Sequence, residues 1–402
     1  MGFLVTPEKA ILFTKVCVAL SCSWPPSLLA NKTRLLYFNV LWCAAFVSTI
    51  GLLVPLLYAI YEYHKNPVIL GKTVSLFSAV AQVTIKMIVC RLQQNAKWLQ
   101  ILFYDMECFC KRTTAQERDI LQRHIDKYKY YHAAYALWGI LTTAVVVSSP
   151  LFMPQTFPTH AVYPFSVERQ PLKSFIFFHQ SLVGFQAFAG MAVDAQVALL
   201  LRYAAARFEI LMVELNEGET NSELNACIRK HQKLLRYIRR IRQSVKFLAL
   251  ATVATTNVAV IFGSLNLVTK QPLPMKALYA LVVFSASVEL FMYAWPADNL
   301  IHMVINYLHA SCFTYSAFTM ASIVFQSKET ATVAYNTNWY DKDVNMQKKI
   351  SCMIFRSQKL EAIYISGILP KLSLSYYAKV YLYTAFTYFT ALRIMVETAD
   401  VD

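Results

Sequence analysis

The sequence predicts an all-α membrane protein of seven transmembrane helices, with a cytoplasmic N-terminus and an extracellular C-terminus. Three observations carry that prediction. The 402 residues are 57% hydrophobic and only 15% charged, against about 25% charged in an ordinary soluble chain. The apolar residues fall in seven runs, each close to the roughly 20 residues a helix needs to cross a hydrocarbon core. Lys and Arg are distributed very unevenly among the segments between those runs.

The runs lie at Phe38–Tyr61, Thr73–Cys90, Ala133–Met153, Ser174–Leu201, Phe247–Val268, Ala277–Trp295 and Ser375–Val396. Lys86, Asp194, Glu289 and Lys379 interrupt the second, fourth, sixth and seventh. A charge at the centre of such a helix costs about 2.5–3.5 kcal/mol on the insertion scale, so these helices should pack against one another. Asp194 suits an internal polar contact better than an ion pathway, and Glu289 and Lys86 invite the same reading.

A net charge of +15 raises the question of nucleic acid, but cytoplasmic loops of membrane proteins collect Lys and Arg. With the N-terminus inside, twenty-eight basic residues face the cytoplasm and seven face outward. This orientation is the inverse of the seven-helix G-protein-coupled plan. None of the nine cysteines falls in a predicted outer loop, so no disulfide framework is implied. The Cys108/Cys110 pair lacks further ligands and is read as structural, without a metal.

The stretch Ala10–Leu20 is broken by Lys15 and has no small-residue cleavage site, so the first span is expected to direct insertion. MGFLVT fits the short myristoylation pattern at Gly2, a pattern that arises often by chance. The sequon Asn31-Lys32-Thr33 falls on the cytoplasmic side and is expected to stay unmodified.

With neither repeats nor linkers, residues 1–402 read as one seven-helix domain. Residues 1–37 form a cytoplasmic N-terminal segment, 38–325 hold helices one to six, 326–372 form a cytoplasmic anchor segment, and 373–402 hold the last helix and a short outer tail. The outer loop after the third span carries Pro150, Pro154, Pro158, Pro164 and Pro171 among aromatic residues, which suits an irregular lid. The cytoplasmic connections, such as Leu92–Tyr131, have helical spacing and should extend the helices below the membrane. The basic stretch Arg229–Lys246 reads as a solvated face near anionic headgroups or as a subunit contact.

The last third of the chain carries SVELFMYAWPADNL (Ser287–Leu300), AYNTNWYD (Ala334–Asp341), FRSQK (Phe355–Lys359), ISGILPKLSL around Gly367 and TYFTAL (Thr387–Leu392). In that order these segments resemble insect odorant receptors, and CSWPP at Cys22–Pro26 and Asp194 extend the resemblance upstream. Ile368 and Leu369 depart from the family's small or polar turn before the last helix. Gustatory receptors share the inverted plan, but Thr387-Tyr388 is not followed by their Gln-Phe. The chain also lacks the long cytoplasmic insertion of the shared odorant co-receptor, so it looks like a variable tuning subunit.

The resemblance implies a heterotetramer with the odorant receptor co-receptor in the plasma membrane of olfactory sensory neurons. It also implies a non-selective cation channel, gated by a small volatile odorant, whose pore is lined by the last helix of each subunit. Thr384, Thr387, Tyr388, Ala391, Arg393 and Ile394 are the pore residues it points to. Thr384, Thr387 and Ala391 form a small, partly polar stripe that suits a pore wall or close packing against another helix. Ala391 stands where relatives carry a larger aliphatic residue, so partner subunits would supply most of the hydrophobic gate. Arg393 near the exit reads as an interfacial residue reaching headgroups.

An odorant site should be a concave apolar pocket with few polar groups. The family places it among the second, third, fourth and sixth helices, which here offer Ser78, Gln82, Thr142, Thr143, Val146, Phe178, Leu182, Phe185, Tyr279 and Val283. Each suits ordinary core equally well. Gln82, Thr142, Thr143 and Tyr279 would orient a carbonyl or hydroxyl, and no Lys or Arg is expected at that depth, which favours neutral ligands. No cofactor, nucleic-acid partner or catalytic cluster is expected, and His179 is read as a packing residue with a local hydrogen bond. A gustatory-receptor-like channel is the runner-up reading, and a transporter a more distant one.

Overall fold

A computed structural model describes residues 5–306, apart from 96, 168, 218–219 and 270, together with 339, 342–357, 387 and 390. The described residues contain helices and no strand. In chain order the helices are α1 (Pro7–Cys17), α2 (Lys32–Glu62), α3 (Pro67–Asn95), α4 (Trp98–Arg112), α5 (Ala115–Val147), α6 (Leu172–Glu217), α7 (Asn221–Val268), α8 (Leu273–Asn306) and α9 (Val344–Ser357).

Among the described residues α2, α3, α5, α6 and α7 are long and apolar enough to cross a membrane. They carry the first five predicted runs, except that α5 stops at Val147, six residues short of the third run's expected end at Met153, and α8 carries the sixth. The seventh run lies outside the described residues apart from Thr387 and Thr390, which are helical.

Local sequence explains the helix ends. Thr6 caps α1, with its hydroxyl accepting from the Lys9 amide and Pro7 occupying the first turn. Thr114 and Glu117 form a reciprocal capping box at the start of α5. Lys97 takes a positive φ of 58° in the tight turn from α3 to α4.

Helices α3, α6 and α7 make the interior, with α2, α5 and α8 packed around them. Helix α2 buries one narrow face, Thr49, Leu52, Pro55, Leu56 and Ala59. It exposes Leu36, Tyr37, Val40, Val47, Val54, Leu57 and Tyr61, as a lipid-facing helix must.

Helices α6 and α7 run 46 and 48 residues without interruption, far past the predicted spans. The basic stretch Arg229–Lys246 is therefore part of α7. Its apolar side (Leu234, Leu235, Ile238, Ile241, Val245) joins the main core, which also takes in α4 and the end of α1. Below it, Leu211, Leu215, Leu224 and Cys227 pack against Met346, Ile350 and Met353 of α9.

The CSWPP segment is pinned beneath the bundle. The Trp24 ring lies 4.1 Å from that of Phe103 on α4, and the Ser23 carbonyl accepts from Gln94 and Gln196, each at 3.4 Å. The described cysteines are all free thiols. Burial pushes the Cys110 thiol, at the end of α4, up to about 12.

Candidate ligand-binding site

A cavity of about 120 Å³ lies between α3, α5, α6, α7 and α8, at the end of the bundle that carries the Pro-rich loop. Its walls are mainly aliphatic and aromatic, including Leu76, Ala79, Val80, Val146, Phe188, Met191 and Val282. Four predicted residues meet there: Gln82, Thr142, Thr143 and Val146.

The hydroxyls on one wall are held in a chain. Trp138 Nε1 donates to Ser285 Oγ at 2.9 Å, Ser285 bonds the Leu281 carbonyl at 2.8 Å, and Thr142 Oγ1 lies 3.0 Å from Ser285 Oγ. On the α3 side, Ser75 donates to the Ala259 carbonyl at 3.3 Å.

The loop after α5 covers the cavity. Pro158 and Thr159 reach its rim, and the Gln180 side chain accepts from the Thr159 amide and hydroxyl at 3.1 and 3.0 Å. Gln180 in turn donates to Tyr163 Oη at 3.1 Å, and the Val162 amide bonds the Pro55 carbonyl at 3.2 Å. An irregular loop needs such side-chain partners because it has no ladder of its own. Burial raises the Tyr163 phenol above its ordinary range.

Beside the rim is a narrow annex lined by Lys72, Val146, His160, Met275 and Tyr279. Burial, and secondarily the Lys72 charge, holds His160 down at about 4, so it is neutral.

The floor is polar. Gln82 and Glu289 reach the cavity, and Gln82 Nε2 hydrogen-bonds Glu289. Immediately beneath, Lys86 donates to Asp194 Oδ1 at 2.8 Å, Glu289 Oε1 at 2.8 Å and the Gly190 carbonyl at 3.1 Å. An ammonium has three donors, and all three are used. The internal-contact reading of Asp194, Glu289 and Lys86 thus holds, and it joins α3, α6 and α8 in one cluster.

The close approach this requires depends on Gly190, where a Cβ would stand 2.7 Å from Val83 Cβ. His179 Nε2 lies 3.0 Å from the Ser48 carbonyl, a local contact of the expected kind. Among the described residues no group of three His, Cys, Asp or Glu side chains is placed to hold a metal.

The other predicted lining residues stand elsewhere. Phe178 is exposed on the outer face of α6. Leu182 and Phe185 share its side of the helix, whereas the stripe that reaches the cavity is Gln180, Gly184, Ala187, Phe188 and Met191. Ser78 is buried and bonds the Ser75 carbonyl. Val283 packs toward Gly263 of α7, and Tyr279 lines the annex.

The expectation of no basic residue at this depth needs correction on two counts. Lys86 lies just under the floor, already committed to two carboxylates, and Lys72 borders the annex with its Nζ 3.5 Å from Gln271 Oε1. Ser285, Gln180 and Met191 went unread. Their helical register relative to Thr142 and Gln82 depends on how the helices rotate, which spacing alone does not encode.

Of the pore residues, Thr384, Tyr388, Ala391, Arg393 and Ile394 lie outside the described residues, and Thr387 is an exposed helical position.

Three comparisons bear on identity. The family described as 7tm Odorant receptor matches residues 66–313. Odorant receptor 30a of Drosophila melanogaster is 46% identical over 48 residues, which is 12% of this chain and 13% of that relative's length. The fold resembles the insect olfactory receptor OR5 from Machilis hrabei, with a TM-score of 0.77 at 13% identity over 96% of this chain and 97% of that one. The same receptor in complex with eugenol gives 0.74 at 15%, with the same coverage. The family pattern spans the helices that build the cavity and its charged floor, and the chain belongs to the 7tm odorant receptor family, as a multi-pass membrane receptor and not an enzyme.

Proposed function

We propose that the chain is the odorant-binding tuning subunit of a ligand-gated, non-selective cation channel. It would act in the plasma membrane of olfactory sensory neurons as a heterotetramer with the odorant receptor co-receptor. The reading takes residues 1–402 as one seven-helix unit, with the N-terminus inside, the C-terminus outside, residues 326–372 as the anchor and the last helix lining the pore. Its main support is the lidded, mostly apolar cavity with a few fixed hydroxyls, in a chain of the odorant receptor family. The complex of the structurally similar Machilis hrabei receptor with eugenol supports small-molecule binding within this fold.

Gln82, Thr142, Thr143 and Val146 are the predicted residues best placed to touch the odorant, joined by Ser285, Gln180 and Met191. The Lys86 charge is neutralised and the floor presents a carboxylate. The site therefore suits neutral volatiles, alcohols and phenols able to donate to Glu289 above all, and disfavours organic acids. Binding opens the channel only insofar as the open state holds the odorant more tightly. Through Glu289, which bonds Gln82 and Lys86 of α3 and is linked by Lys86 to Asp194 of α6, α8 would carry the shift toward the last helix.

The test is whole-cell recording from cells expressing the chain with and without an insect co-receptor, under a panel of neutral volatiles. Cation current only with the co-receptor is the expected result. Current without it would make the chain an autonomous channel, and silence at confirmed surface expression would overturn the odorant reading in favour of a gustatory-type receptor or a transporter.

A further inference from the structure

A second cavity, of about 380 Å³, lies at the other end of the bundle, between α1, α4, α5 and α6. It shares no residue with the odorant cavity. Its walls are apolar, formed by residues such as Ile11, Phe13, Met106, Leu121 and Leu199. Two of its basic groups, Arg202 and His132, are incompletely satisfied. The Arg202 guanidinium lies 3.9 Å from the centre of the Tyr128 ring, and its Nη2 is buried without a hydrogen-bond partner. Among the described residues no carboxylate is within ion-pair distance of Arg202. His132 Nε2, also facing this space, is buried and unpartnered as well.

The acids nearby are already committed. Glu8 pairs with Arg118 at 3.1 Å, Asp126 with Lys129 at 2.8 Å, and Glu209 with Arg123 at 3.1 Å and His124 at 2.7 Å. A guanidinium held next to apolar walls without a counter-ion is costly. An anion that arrives with its own apolar body removes that cost and fills the cavity at once.

The mouth of the cavity is edged with exposed apolar residues. Phe13 and Ala133 are exposed at its edge, and α1 also exposes Leu12 and Val16, with exposed Leu20 in the turn just beyond its end. Such an apolar face suits a helix lying in the headgroup region. Arg202 follows the end of the fourth predicted run, which places it near headgroup depth.

We infer that this cavity binds an anionic phospholipid, with its phosphate-bearing headgroup on Arg202 and His132 and an acyl chain in the trough between α1 and α5. Assigning the lipid to the cytoplasmic leaflet rests on the orientation proposed above; the site itself does not.

The test is native mass spectrometry of the purified full-length receptor exposed to palmitoyl-oleoyl phosphatidylserine, to the matching phosphatidylcholine, and to phosphatidylserine in the presence of millimolar inorganic phosphate. One phosphatidylserine should be retained in preference to phosphatidylcholine by about fivefold or more, the scale of one basic residue against an anionic headgroup. Inorganic phosphate should not displace it. Arg202→Gln should abolish the preference and Arg202→Lys should keep most of it. Ala10→Trp, which fills the trough from α1 and leaves the charges in place, should abolish retention of both lipids, and it decides the matter if Arg202→Gln fails to fold.

Equal retention of the two lipids, displacement by phosphate, or phosphatidylserine binding that survives Ala10→Trp would each overturn the inference. Odorant current plays no part in the readout, so failure here leaves the channel reading untouched.

Discussion

Lys86 on α3 and Asp194 on α6 meet at 2.8 Å with essentially no solvent access to either side chain. Glu289 on α8 reaches the same ammonium at the same distance. Three helices that otherwise associate mainly through apolar packing are thereby locked in one register. In a membrane that lock matters more than in water, because lipid tails supply no hydrophobic force between helices.

Removing the cation should be far worse than removing one anion. Lys86→Met leaves two buried carboxylates facing each other, and breaking a buried pair in this way costs about 3–5 kcal/mol. Asp194→Asn leaves one ammonium with one carboxylate and should cost clearly less. Thermal unfolding of the detergent-solubilised receptor, followed by size-exclusion fluorescence, would rank the two; equal melting points would contradict the charge count.

Gly190→Ala should separate α3 from α6. The new Cβ would meet Val83 Cβ at 2.7 Å, and overpacking of this kind costs about 1–3 kcal/mol. Combining it with Val83→Ala should recover part of the loss. A double variant no better than the single one would place the strain elsewhere.

Within the odorant cavity, Ala79→Phe should exclude bulky volatiles. The cavity measures about 120 Å³, and a phenyl group would occupy most of it. Dose–response curves with the co-receptor should show at least a tenfold rise in half-maximal concentration for the largest active volatile and a smaller change for the smallest. Ser285→Ala should cost about 1 kcal/mol of stability, since it strips the half-buried Trp138 N–H of its acceptor.

The lid should loosen in acid. His160 sits near 4 in the folded receptor against about 6.5 when unfolded, so the unfolded chain binds the proton first. Stability from the neutral, buried imidazole is complete above the unfolded value and is lost as pH falls from about 6.5 toward 4. The groups facing it are Lys72, whose charge adds to the effect, and Tyr279 and Gln155, which are neutral. Melting points at pH 7.5 and 5 should differ by the equivalent of about 1–2 kcal/mol, and His160→Gln should shrink that difference.

The helices were readable because their chemistry is one-dimensional. A run such as Ser174–Leu201 must be a helix wherever it sits in lipid, and interrupting charges such as Asp194 must find partners. Helix ends were harder to read: α6 reaches Glu217 and α7 begins at Asn221 because amphipathic turns continue the helix after the apolar signal has stopped. The cavity was half legible. Thr142, Thr143, Gln82 and Val146 meet there, but the α6 contribution was read two residues off register, at Phe178, Leu182 and Phe185. On a helix apolar all round, composition does not mark which face is inside. Lys72 and Lys86 were missed at this depth because their partners come from elsewhere in the fold, the Gln271 amide oxygen for Lys72 and two carboxylates of other helices for Lys86.

Helix α6 touches the cavity under the loop at Gln180, contributes Asp194 to the ion cluster and packs against α9 through Leu211 and Leu215. At about 1.5 Å per residue, its 46 residues form a rod of roughly 69 Å. A rod of that length is a lever, and the buried ammonium of Lys86, gripping Asp194 near its middle, is a natural fulcrum. A tilt of about 3° around that pivot moves Gln180, at the cavity, by about 1 Å and the far end by about 2 Å. The receptor therefore has no need of a large rearrangement around a small guest for its distant end to register the guest's arrival.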